Sequence, residues 1–136
     1  MSSTPFGPQL IGETEKTLNA VLRRTLSGRL TEPEWVTLRV ALQEDAEVRS
    51  ARELADRVAE RAWFEDAIGL VERLTESGLL ADGRPTEAGR SLVAELQSSV
   101  AADAGPIFQG LSPDDLAIAG RVLTVVRDRA RELLTQ

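Results

Sequence analysis

No cysteine, histidine or tyrosine occurs among the 136 residues, and every basic residue except Lys16 is arginine. Without cysteine there is no disulfide, no thiolate metal ligand and no nucleophilic thiol. Without histidine there is no imidazole base, no imidazole ligand and no switch near neutral pH. A serine nucleophile would have only Lys16 or a carboxylate as its base, and neither a glycine-rich phosphate loop nor a nucleophile elbow is present. No enzymatic activity, cofactor or metal is therefore expected. The acidic pairs Asp114-Asp115 and Glu65-Asp66 read as helix N-terminal charges favoured by the macrodipole, and no EF-hand spacing occurs. No apolar run approaches the roughly 18 residues of a spanning helix. The opening MSSTPFGPQL lacks the basic start and apolar middle of a signal peptide, so no membrane partner is expected and the expected compartment is the cytoplasm. Sixteen basic residues against 22 acidic ones give a net charge of −6, which excludes an overall basic nucleic-acid coat but leaves room for a local patch.

What is present is helical periodicity broken by turn chemistry. Residues 1 to 8, with Pro5, Gly7 and Pro8, read as an irregular arm. Leu10, Ile11, Leu18, Val21, Leu22 and Leu26 recur at helical spacing to Ser27, where Gly28 supplies a stop. Thr31-Glu32-Pro33-Glu34 has the form of a capping box, with Leu30 and Trp35 at the staple positions, and predicts a second helix through Leu42. Glu44 to Arg49 is polar and reads as a loop. Ser50-Ala51-Arg52-Glu53 repeats the capping-box form and opens a shorter third helix with Leu54, Ala55 and Val58 inward. A turn over Ala59 to Trp63 leads to a fourth helix, about Phe64 to Ser77, whose end fits a Schellman motif with Gly78 at positive φ and Leu79 against Leu74. A tight turn at Asp82-Gly83-Arg84-Pro85 follows. Thr86 caps a fifth helix to about Ala104, where Gly105-Pro106 interrupts it. Ser112 caps a last helix to about Leu134.

Helix, turn, helix, short hairpin and helix in this order, from Leu54 to Arg90, is the plan of a winged helix-turn-helix. The chain length suits one mainly α-helical domain, residues 1–136, with a winged helix-turn-helix lobe over 31–90. The terminal segments, 1–30 and 91–136, carry apolar faces wider than one buried stripe. Pairing with a second copy covers them most simply, and the candidate seam holds Leu10, Leu18, Leu116, Leu123, Val126 and Leu133.

The residues resemble the MarR family of winged helix-turn-helix transcription regulators across nearly the whole chain. The resemblance is carried by Leu30-Thr31 with Trp35, by Leu54-Ala55, by Leu70-Val71-Glu72-Arg73-Leu74 with Gly78-Leu79-Leu80, and by Thr86-Glu87-Ala88-Gly89-Arg90 after the wing. It implies a homodimer that places its fourth helix in the major groove of double-stranded DNA and its wing in the minor groove, relieved by a small hydrophobic effector. The implied DNA-facing residues are Arg49, Ser50, Arg52, Arg61, Trp63, Glu65, Asp66, Ile68, Gly69, Arg73 and Arg84. The implied effector pocket lies between the first, second and fifth helices near Trp35 and Leu38.

Three features depart from the family pattern. The recognition helix opens with Glu65, Asp66, Ile68 and Gly69 where small hydroxyl residues and an arginine are usual. The wing is short or vestigial, since only Pro85 separates Arg84 from the capping Thr86. The turn before the fourth helix is about two residues longer than usual. Charge follows the same direction: residues 31–90 carry eight arginines against 14 acidic residues. The alternative function is therefore a winged-helix protein without DNA binding that serves as a protein-interaction or ligand-binding module.

Overall fold

The computed structural model describes residues 3–62 and 64–136. Its elements are α1 (Pro8–Leu26), α2 (Glu32–Gln43), α3 (Ala51–Ala62), α4 (Ala67–Glu76), β1 (Leu80–Ala81), β2 (Arg84–Pro85), α5 (Glu87–Phe108) and α6 (Pro113–Leu134). This is a mainly α-helical winged helix with a minimal wing, as the periodicity predicts.

Local chemistry sets most of the boundaries. At the head of α2 the Glu34 amide donates to Thr31 Oγ1 at 3.2 Å, and the Thr31 amide donates to Glu34 Oε1 at 2.8 Å, so the capping box forms in both directions. At the end of α4 the Leu79 amide donates to the Leu74 carbonyl and the Gly78 amide to that of Thr75, both at 3.0 Å. With Gly78 at φ 79, these two bonds make the Schellman stop that the sequence predicts. Asp82 at φ 54 and Gly83 at φ 79 both lie in the left-handed region and close a two-residue hairpin that pairs Ala81 with Arg84 and Leu80 with Pro85. Positive φ at both turn positions is what an Asp-Gly pair supplies at low steric cost.

Four boundaries differ from expectation. The first helix begins at Pro8, inside the stretch that reads as an irregular arm, because proline is tolerated at the first helical position where its missing N–H has no partner to lose. The third helix runs on to Ala62 through the expected turn. The fourth begins at Ala67 rather than Phe64, because the Asp66 carboxylate caps it by accepting from the Gly69 amide at 3.1 Å. The fifth does not break at Gly105-Pro106. Proline disfavours helix in its predecessor partly through that residue's Cβ, and Gly105 has none; the chain turns instead at Gly110, φ 84.

The chain divides into two compact units, residues 1–103 and 104–136. In the first, Leu26, Trp35, Leu38, Leu54, Val58, Leu74, Leu80, Val93 and Leu96 belong to one core to which α1, α2, α3, α4, β1 and α5 all contribute. The buried Thr37 hydroxyl is satisfied by donating to the Pro33 carbonyl at 2.8 Å. In the second unit, α6 has no buried residue. Leu116, Ile118, Val122, Leu123, Val125 and Val126 are each 40–49% exposed.

Candidate nucleic-acid interface

Two hydrogen-bonded networks organise the arginines of the helix-turn-helix lobe. The first centres on Arg57 in α3, which pairs with Glu44 at 2.6 Å, Glu47 at 3.0 Å and Glu53 at 3.6 Å. Its charged form is favoured first by the hydrogen bond to Glu47, then by the surrounding carboxylates. Arg61 reaches the same Glu44 at 3.5 Å. This network ties α3 to the end of α2 and spends Arg61 on an internal partner.

The second network lies at the root of the wing. Asp45, just past α2, accepts from Arg84 Nε at 2.9 Å and also from Arg90 in the first turn of α5. Hydrogen bonds from Arg84 and Arg90 hold the Asp45 carboxyl below the ordinary aspartate range. The hairpin turn is seated by a close backbone approach: a Cβ on Gly83 would stand 2.3 Å from the Ser50 carbonyl oxygen. Only glycine fits there, and the contact fixes the wing turn against the start of α3.

Besides Arg61 and Arg84, the predicted DNA-facing residues that the structure describes lie around the start of α3 and around α4. Arg49 and Ser50 stand beside the wing turn, with the Ser50 hydroxyl accepting from the Glu53 amide at 3.1 Å and Glu53 reaching back to the Arg49 amide at 3.2 Å. Among the described residues no carboxylate pairs with the Arg49 guanidinium. Arg52, further along α3, faces Asp56 at 3.7 Å, with both side chains largely in water. Asp66, Gly69 and Arg73 form one cluster, in which Asp66 caps α4 and lies 3.9 Å from Arg73. Glu65 is exposed and Ile68 is 42% exposed on α4. Trp63 lies outside the described residues. The resulting face is not repulsive throughout, because several carboxylates are engaged as caps or ion-pair partners. Such exposed pairs are worth about 0 to 1 kcal/mol.

Asp45 and Arg90 are not among the residues that the resemblance implies face DNA. Asp45 reads as one polar residue of a loop, and its partners stand 39 and 45 positions away. No local pattern signals such a pairing.

Trp35 and Leu38 are placed in the core, 2% and 0% exposed, with the Arg39 guanidinium 5.7 Å from the centre of the Trp35 rings. A cleft of about 600 Å³ lies between α1 and the head of α2, lined by Lys16, Asn19, Arg23, Leu30, Thr31 and Glu32 among others. Lys16, Arg23 and Glu32 bring charge to its lining. Within it, burial and then the nearby Glu15 push the Glu32 carboxyl above the ordinary glutamate range. Of the predicted seam, Leu10 is half-buried and Leu18 is exposed on α1, while Leu116, Leu123, Val126 and Leu133 are exposed on α6.

The order of helices, the Schellman stop after α4 and the hairpin before α5 make a winged helix-turn-helix fold. The solved structure of BpsR from Bordetella bronchiseptica, whose DNA binding is regulated by 6-hydroxynicotinic acid, is similar with a TM-score of 0.69. The two share 23% identity over 92% of this chain and 99% of that one. A protein of unknown function from Listeria innocua Clip11262 is similar with a TM-score of 0.63 and 22% identity, over 88% of each chain. At these identities the likeness is one of fold. No protein-family profile matches the sequence, and no curated protein matches it.

Proposed function

We propose that this protein is a MarR-like transcription regulator that binds double-stranded DNA as a homodimer and is released by a small molecule. The whole chain serves this one role, with the lobe over 31–90 on DNA and the terminal helices in the dimer seam. The observation that carries the reading is the fold itself: a helix-turn-helix of α3 and α4, with a wing whose turn is seated on the start of α3 and whose arginine is held in place. The exposed apolar face of α6 supports the dimer, since Leu123 and Val126 at 44% and 42% exposure stand at helical spacing with Leu116 and Leu133 on the same stripe. The effector is expected to be a small anion. Lys16 and Arg23 stand seven residues apart, two turns along α1, in the cleft beside Asn19, and BpsR responds to a pyridine carboxylic acid.

Fluorescence anisotropy on a duplex from the protein's own upstream region, at about 50 to 200 mM salt, tests the reading. Binding that weakens steeply with salt is expected. Arg84→Ala should weaken it and lower the salt slope by about one per subunit. Absence of any binding at the low-salt end would instead favour a winged-helix module without DNA binding. That second reading is supported by the excess of 14 acidic residues over eight arginines in the lobe.

A further inference from the structure

The root of the wing holds two arginines on one carboxylate, and the geometry separates the signs of charge. Asp45 lies inside, its side chain 20% exposed, while Arg84 and Arg90 lie outside at 56% and 51%. Arg84 bonds through Nε, which leaves both of its terminal Nη groups without a protein partner among the described residues. Arg90 bonds through Nη2 and keeps other N–H donors free. Two guanidiniums and one carboxylate leave this group with a net positive charge on its outward edge.

We infer that Asp45 is a positioning residue for a phosphate-binding pair, Arg84 and Arg90, and that its ligand is the DNA backbone. The inference rests on the DNA-binding reading and adds to it a second phosphate contact, Arg90, and the residue that aims both. A free arginine side chain must be ordered before it can make paired hydrogen bonds to a phosphate. Here the carboxylate has already ordered two of them, and Gly83 on the Ser50 carbonyl fixes the hairpin that carries Arg84. Preorganisation of this kind strengthens binding by cutting the cost of association rather than by adding contacts. The alternative role for the same carboxylate is competition, in which Asp45 occupies the arginines and DNA must displace it.

The two roles predict opposite signs for one substitution. Asp45→Asn removes a negative charge, so competition or simple repulsion predicts tighter binding. Positioning predicts weaker binding, by roughly tenfold for the loss of one well-aimed charged contact, with the salt slope unchanged because both arginines remain. Asp45→Glu, which restores the charge on a longer side chain, should recover part of the affinity. Arg90→Ala should weaken binding and lower the salt slope by about one per subunit. The experiment is anisotropy over a salt series for wild type and these three variants on the same upstream duplex, with thermal melting of each as a folding control. Binding by Asp45→Asn equal to or tighter than wild type overturns the inference while the regulator reading stands. Should Asp45→Asn fail to fold, Arg90→Ala decides, and an unchanged affinity and slope overturn it. A wild-type protein that binds no duplex overturns the regulator reading, and this inference falls with it.

Discussion

Asp66 is both a carboxylate at the leading end of α4 and the cap that starts that helix. Its side chain satisfies the Gly69 amide, one of the donors that the first turn leaves without an intrahelical partner. Asp66→Ala should therefore cost about 1 kcal/mol in thermal or denaturant unfolding. Asp66→Asn keeps a capping oxygen and should be nearly neutral in stability while strengthening binding to non-specific duplex. A larger stability loss for the asparagine than for the alanine would contradict the capping role. Glu32 gives a pH-dependent test. Burial and Glu15 raise its carboxyl in the folded state, so ionisation is penalised on folding. The penalty is present above the folded value and absent below the unfolded one, so acidification through the glutamate range relieves it. Glu32→Gln should thus raise the melting temperature at pH 7, and the gain should vanish in acid below that range. Melting curves across pH check the sign.

At the scale of elements, the short wing stands out because it is held rather than extended. Gly83→Ala would place a Cβ 2.3 Å from the Ser50 carbonyl at a φ of 79, so it should cost about 1 to 3 kcal/mol and unseat the hairpin. Amide exchange should accelerate at Arg84 and Thr86, and equal exchange in the variant would contradict the docked wing. This part of the fold also shows what the sequence makes legible. The Thr31 box, the Gly78 stop and the Asp82-Gly83 turn are local, with donors and acceptors within a few residues, so the residue types announce them. The start of α4 was less legible because Phe64 continues the apolar pattern while Asp66 closes the cap behind it. The end of α5 misled for a related reason, since a Gly-Pro pair normally signals a stop. The Asp45 pairing depends on contacts between distant segments, which residue types alone do not specify, whereas the staple position of Trp35 beside the Thr31 box already points it inward.

The whole molecule presents an unbalanced distribution of apolar surface. The helix-turn-helix lobe encloses its core, whereas α6 buries nothing and carries Leu116, Leu123, Val126 and Leu133 in water. Covering what remains exposed of such half-exposed side chains stabilises by about 1 kcal/mol each, a driving force that a second copy would supply. Leu123→Asp should convert a dimer to monomers by placing an unpaired charge in the seam. Sedimentation of this variant checks that expectation, and a mass unchanged from a wild-type dimer would place the seam elsewhere. One measurement reaches both the dimer and its binding to DNA: sedimentation velocity of a labelled duplex from the upstream region with wild-type protein at low salt. The account predicts a complex with the mass of one duplex and two chains, lost as salt rises. Duplex that sediments as free DNA in the presence of excess folded protein would contradict it.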